Sequence, residues 1–265
     1  MDLLVIGSSV AFVSYMLASI AIVSRLFHPK GPNIMLVLSL GCIAIIAHTL
    51  NNGQYLYHQA DINFSLPNVI SLVSLVITLS VSTAALKYKV NLLLPVVYGF
   101  AGLWQLLMIF IPPIAEIPLS SEKLFLVTHI VLALIAYCVL VIATLYAFQV
   151  AYINYKLKSK NLVAVSHLPP LMQVENQLFL ILNIGTLCLL LSEFSGFIFL
   201  DDFLSKDRAH KTVLSLMALF VYLVIMWGHF KQGWRGHKVL LLTVFATSLL
   251  TLSYFGSRFV KEFLL

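Results

Sequence analysis

Two histidines and one glutamate lie inside long apolar runs, at positions where ionisable side chains are costly and usually face a protein interior. They are His48, His129 and Glu193, and a further histidine, His210, opens another apolar run. A neutral imidazole offers a nitrogen lone pair to iron, so histidines from two helices suit the two faces of a haem. A carboxylate beside a histidine could instead relay protons or cations.

Other metal and thiol chemistry is less compatible with the spacing of the potential ligands. Zinc and copper sites generally need three or four ligands with close local spacing, such as HxxxH, and no such pair occurs. Cys42, Cys138 and Cys188 lie in separate apolar runs without a CxxC pair, so we expect no disulfide framework and no dithiol relay. A single intramembrane histidine can also simply hydrogen-bond a neighbouring helix, and this alternative stays open.

The elements that position these residues are predicted by hydropathy. The 265 residues are 61% hydrophobic and only 10% charged, whereas soluble proteins carry about 25% charged residues. A membrane core of about 30 Å needs roughly 20 apolar residues in a helix. The eight suitable runs are 3–24, 33–52, 67–86, 90–111, 123–152, 178–200, 211–230 and 238–260. The sequence therefore predicts an all-α, polytopic membrane helical bundle of about eight transmembrane helices, forming a single domain over residues 1–265.

The loop charges predict the orientation of the helices. Ten of the sixteen lysines and arginines fall in alternate loops on one side, which the positive-inside rule assigns to the cytoplasm. Both termini are then outside the cytoplasm, in a multi-pass plasma (inner) membrane protein. His48, His129 and Glu193 share the outer leaflet, each roughly 6–10 Å from the surface at 1.5 Å per residue. The basic residues lie in short loops, where their role is to orient the helices. We therefore expect the lipid bilayer as a partner and no binding of nucleic acid.

Several segments resemble the cytochrome c assembly protein family, the CcsA type of haem-handling membrane proteins. "KQGWRGHKVLLLTVFATSLLTLSYFGSRFV", Lys231–Val260, resembles the family's GWRG turn and last helix. Thr128–Ala147 and the helix with His48 are similar to the family's histidine helices, and "LLSEFSG", Leu190–Gly196, to the helix before its signature loop. The resemblance covers most of the chain in order. It implies haem as cofactor and another membrane or cytochrome-assembly protein as partner.

The outer loop departs from the haem-attaching members of that family. Those members carry a tryptophan-rich loop, whereas "FLDDFLSKDRAHKT", Phe199–Thr212, contains no tryptophan. They also have an outward histidine near the chain end, and no histidine follows His237 here; His210 stands at the equivalent surface. The pattern is most similar to the shorter YpjD-like branch. Without the aromatic loop or a nucleophile paired with a base, we expect no catalytic residues and no intrinsic enzyme activity.

The candidate site residues share the predicted outer leaflet or its rim: His48, His129, Glu193, His210, Arg208 and Lys211. We expect His129 and His210 to be the axial ligands of the haem iron, with His48 as a reserve ligand or the ligand of a deeper site. Arg208 and Lys211 could pair with haem propionates, although nearby aspartates could also neutralise them. Glu193 could orient an imidazole by accepting its second N–H.

Two other functions stay open. One is an ion or proton transporter, or a transporter accessory, that uses Glu193 and an intramembrane histidine. The other is a structural membrane partner of another complex. The GWRG turn, Gly233–Gly236, is interpreted as an interfacial anchor and not as a site, and His28, His167, His229 and His237 are assigned no role.

Overall fold

The computed structural model describes residues 3–25, 31–58, 61–62, 65–111, 124–159, 169–199 and 209–256. The helices are α1 (Leu3–Val23), α2 (Ile34–Leu56), α3 (Leu66–Ala85), α4 (Leu93–Met108), α5 (Leu124–Lys158), α6 (Leu171–Phe199), α7 (Ala209–Gln232) and α8 (His237–Thr251), and α8 continues into a π-helical turn, Leu252–Gly256. Two two-residue strands, β1 (Tyr57–His58) and β2 (Asp61–Ile62), pair antiparallel. The predicted helical, polytopic membrane fold is confirmed.

Seven of the described helices are long and apolar enough to cross a membrane, whereas α4 has only 16 residues. Two helices extend at least six residues beyond their apolar runs: α6 begins at Leu171 instead of residue 178, and α5 continues to Lys158 instead of residue 152. The extensions are polar but contain good helix formers such as Glu175 and Lys156. Hydropathy reports only the part of a helix that lies in lipid, so it cannot predict these ends.

The chain divides into two compact units. Unit 1 comprises Met1–Leu119 and Lys156–Pro169, and unit 2 comprises Ser120–Tyr155 and Pro170–Leu265. In unit 1, α1 packs against α2 and α4, and α3 packs against the same two helices; in unit 2, α7 packs against α6 and α8. The prediction of one domain over residues 1–265 stays a prediction.

Helix α1 has one buried face, on which small residues alternate with Tyr15 and Ile22, and one exposed face of larger apolar residues. Its buried positions recur every three or four residues: Ser8, Ala11, Tyr15, Ala18 and Ile22. Its exposed positions are larger and uniformly apolar: Ile6, Val10, Val13, Leu17 and Ile20. Small side chains let neighbouring helices approach closely, while the exposed apolar face suits lipid contact. A surface helix of a soluble protein would place polar residues on that face.

Candidate functional site

His129 lies near the start of α5 and is held by α6. Its Nδ1 is 3.0 Å from the backbone carbonyl oxygen of Ser192 and 3.2 Å from Oγ of Ser195. The Ser195 hydroxyl itself donates to the same carbonyl, at 2.7 Å. Because a carbonyl oxygen only accepts, Nδ1 must carry the imidazole proton. The ring is therefore in the Nδ1–H tautomer.

This tautomer leaves Nε2 of His129 with its lone pair. Among the residues that the structure describes, no hydrogen-bond partner contacts Nε2. The residue is half-buried, so part of its side chain remains accessible. Histidines that bind metals typically donate their other ring N–H to a carbonyl or carboxylate, which fixes both tautomer and orientation. His129 has this arrangement, with the Ser192 carbonyl as the fixed acceptor.

Glu193 faces the interior of unit 2, as expected for a carboxyl group at membrane depth. It is 9% exposed. Its carboxyl interacts with Ser215 of α7 and electrostatically with Tyr254 in the π-helical turn. The backbone carbonyl that orients His129 therefore belongs to Ser192, the residue before Glu193, while the Glu193 carboxyl interacts with Ser215 of α7.

His210 and Lys211 form part of the first turn of α7, at the end of unit 2 where α5 begins and α6 ends. His210 is exposed and Lys211 is half-buried, and the Lys211 backbone carbonyl accepts a hydrogen bond from Ser253 at 2.8 Å. The structure thus brings His129, Glu193, His210 and Lys211 into one unit. Arg208 lies outside the described residues.

His48 differs from His129 because both of its ring nitrogens are occupied. It is completely buried in unit 1. Nδ1 is 3.2 Å from the Tyr15 hydroxyl of α1, and Nε2 is 3.0 Å from the Ser71 hydroxyl of α3. The Ser71 hydroxyl donates to Asn52 Oδ1 at 2.6 Å and also accepts from Gln105 Nε2 at 3.0 Å.

These contacts fix the proton positions around His48. Since Ser71 gives its only proton to Asn52, Nε2–H donates to Ser71 and Nδ1 accepts from Tyr15. The network joins all four helices of unit 1, because Gln105 belongs to α4. In this state, His48 has no free lone pair for iron, and its geometry fits the interhelical hydrogen bonding that the sequence left open.

Hydroxyl groups connect α5, α7 and α8 in unit 2. Tyr222 contacts Thr247 at 2.7 Å, Thr247 contacts Thr144 at 2.6 Å, and Thr144 donates to the Leu140 carbonyl at 2.9 Å. Each hydroxyl has one proton, so the chain runs from Tyr222 through Thr247 and Thr144 to a backbone carbonyl. Every proton is assigned to an acceptor, and the chain holds three helices together. The sequence reasoning missed it.

The GWRG turn closes the hairpin between α7 and α8. Gly233 N–H donates to the His229 carbonyl at 3.1 Å with Gly233 at φ +65°, which is the αL cap of a helix end, and Trp234 N–H donates to the Gly228 carbonyl, also at 3.1 Å. His229 stacks on Phe179 of α6, with ring centroids 3.3 Å apart, and its Nδ1–H donates to the Trp234 carbonyl at 3.2 Å. His229, to which the sequence assigned no role, therefore holds the turn.

Comparison with known proteins identifies the family. Residues 36–265 match the model of the cytochrome C assembly protein family. The chain is similar to the inner membrane protein YpjD of Escherichia coli strains K12 and O157:H7, with 38% identity over 254 residues that cover 95% of this chain and 96% of the relative. No solved structure matches the chain. The chain therefore belongs to the cytochrome c assembly protein family.

Proposed function

We propose that this protein binds haem in the inner membrane and that His129 is an axial ligand of the haem iron. The observation that carries the proposal is the fixed Nδ1–H of His129, which leaves the Nε2 lone pair available on a half-buried ring. Family membership supports the same reading, since the family assembles cytochrome c, whose cofactor is haem. The E. coli relatives, named as inner membrane proteins, support the location.

The residues around His129 suit haem in their donor chemistry. A neutral imidazole oriented by a backbone carbonyl is a good iron ligand, and the abundant apolar side chains of unit 2 suit a porphyrin. Haem would supply an iron centre that accepts one or two imidazole nitrogens. His210, on the exposed first turn of α7, is the proposed second ligand, and Lys211 and Arg208 are the proposed propionate partners. To bind the haem iron, His48 would first have to break one of the two hydrogen bonds of its ring.

Replacing His129 by alanine should weaken haem binding at least tenfold, because no other described group takes the place of the oriented Nε2. We would titrate the purified full-length variant with haemin and follow the Soret absorption. His237→Ala is the matched control, since His237 is exposed at the start of α8, and it should bind like the wild type. Identical titrations for the wild type, His129→Ala and His210→Ala would refute the proposed ligands.

We also propose that both chain termini lie outside the cytoplasm, from the ten-to-six asymmetry of basic residues between alternate loops. A reporter that is active only in the cytoplasm should be active when fused after Lys160 and inactive when fused after Leu265. The opposite pattern would place His129 and His210 at the cytoplasmic end of unit 2, and a haem site there would face the other compartment.

The second candidate function is a cation or proton relay at Glu193. It is favoured by the burial of this carboxyl beside Ser215, without an ion pair to a basic side chain among the residues that the structure describes. Glu193→Gln distinguishes the two functions. If the Glu193→Gln variant binds haem like the wild type but loses cation-dependent transport in proteoliposomes, the relay is favoured. If the wild-type protein is haem-replete and transports no cation, haem handling is favoured, and the proposed partner is then another membrane or cytochrome-assembly protein.

A further inference from the structure

A cavity of about 350 Å³ opens at the end of unit 1 where α2 and α4 begin. Gly31 and Pro32, which precede α2, line one side of it, and the segment that joins α3 to α4 lines the other with Lys87, Tyr88, Lys89 and Asn91. The volume lies at the lower end of the range of roughly 300–1,000 Å³ for small-ligand sites. Loop charges predict that this end faces the cytoplasm.

The polar side chains around this cavity are rich in hydrogen-bond donors and positive charge. Lys87 and Lys89 are both exposed, and the Tyr88 side chain is 44% exposed. No aspartate or glutamate lies among the described residues that line the cavity. Two ammonium groups without a nearby carboxylate produce a positive potential that attracts anions.

Asn91 adds a polar group to the lining of the cavity. Its side chain is only 9% exposed. The amide offers two N–H donors and one carbonyl acceptor to a group that enters the cavity. Together with the ammonium groups of Lys87 and Lys89 on the same segment, these donors best fit an anionic oxygen acceptor.

The segment that carries these groups is held in place by Val90. The Val90 side chain is 2% exposed, so it anchors the segment in the core of unit 1. Its backbone N–H donates to the Tyr88 carbonyl at 2.9 Å, and its carbonyl accepts from the N–H groups of Leu93 and Leu94 at 2.9 and 3.3 Å. The lysines and Asn91 thus project from a fixed backbone, which reduces the entropy cost of binding.

We propose that this cavity binds a phosphate group, either in the headgroup of an anionic lipid or free in solution. Lysine ammonium groups and an amide N–H₂ are suitable donors to phosphate oxygens. The position at the membrane surface matches the level of lipid headgroups, where basic pockets between transmembrane helices bind anionic lipids. The site lies in unit 1 and does not depend on haem binding by unit 2.

The test uses the delipidated full-length protein in neutral detergent and two probes, phosphatidylglycerol measured by native mass spectrometry and inorganic phosphate measured by equilibrium dialysis. The double variant Lys87→Gln/Lys89→Gln should bind the effective probe at least tenfold more weakly than the wild type. Asn91→Leu, which leaves the net charge unchanged, should weaken binding severalfold. Lys158→Gln/Lys231→Gln is the matched control: it removes two exposed lysines elsewhere and should bind like the wild type.

The two probes distinguish the sources of the phosphate. Site-dependent binding of phosphatidylglycerol, with no binding of diacylglycerol and no competition by millimolar inorganic phosphate, identifies a lipid site. Site-dependent binding of inorganic phosphate alone identifies a soluble ligand. Equal binding of both probes by the wild type, the Lys87/Lys89 variant and the control would overturn the proposal. Size-exclusion profiles verify that the variants fold. If Asn91→Leu unfolds the protein, the Lys87→Gln/Lys89→Gln variant still tests the proposal, because both lysines are exposed and their replacement should leave the fold intact.

Discussion

Replacing His48 by leucine should lower the free energy of unfolding by about 2–3 kcal/mol. Leucine roughly conserves the volume, so the loss comes mainly from hydrogen bonds. The substitution removes the acceptor of Tyr15 and the donor to Ser71, and both partners are buried in unit 1. Each lost buried hydrogen bond costs on the order of 1 kcal/mol or more; Ser71 keeps its bonds with Asn52 and Gln105, whereas Tyr15 loses its acceptor at His48. Reversible unfolding in mixed micelles, followed by tryptophan fluorescence, would measure the change.

His129→Leu is the matched control for this prediction. His129 is also an intramembrane histidine, but it is half-buried and only its Nδ1 has described partners. Its replacement should cost about 1 kcal/mol, roughly one interhelical hydrogen bond. Equal losses for the two variants would show that the four-helix network contributes no more than a single contact, and would reopen the question of a ligand role for His48.

The location of these histidines within apolar helices could be predicted from the sequence because lipid selects helices by length and apolar composition, whereas their depth in the membrane stays a prediction. His48, His129 and Glu193 interrupt apolar runs and are therefore easily recognised. We predicted that they are buried because exposing a polar group to hydrocarbon is costly. For Glu193 the structure confirms this prediction, since the residue is only 9% exposed. The same argument predicted the helical fold but not the starts and ends of α5 and α6.

The partners of each histidine could not be predicted. The Tyr15 and Ser71 side chains that contact His48 come from two other helices, and only the rotation and register of packed helices bring them together. Serine and threonine are common in membrane helices and change their hydropathy little, so Thr144 and Thr247 gave no signal of a hydroxyl chain. The difference between His48, with both nitrogens bonded, and His129, with one, is therefore visible only in the structure.

The GWRG turn shows a further limit of sequence reasoning. Its glycines and aromatic residue predicted a tight hairpin turn, which the structure confirms between α7 and α8 with Gly233 at φ +65°, while its position at the membrane interface stays a prediction. The preceding helix gave no indication that Gly228 and His229 belong to the same motif. Gly228 is buried, and a Cβ at this position would overlap the Trp234 ring. The tryptophan thus packs on a surface that only glycine provides.

Replacing Gly228 by alanine should therefore destabilise the protein by about 2 kcal/mol, the usual range for overpacking. The Trp234 ring cannot move aside freely, because its backbone N–H and carbonyl are bonded to Gly228 and His229. Gly99→Ala is the control, since a Cβ there meets nothing within 4 Å, and it should be neutral or slightly stabilising.

A double-mutant cycle separates this overlap from the helix propensity of alanine. If the Trp234 ring is the obstacle, Gly228→Ala should cost nothing further once Trp234 is already alanine, so that the two losses are strongly non-additive. The unfolding free energies of the two single variants and the double variant give the coupling directly. Additive losses would mean that the packing of the Trp234 ring does not depend on the absence of a side chain at Gly228. The hairpin would then be held by the backbone hydrogen bonds of Gly233 and Trp234 and by the His229 contacts alone.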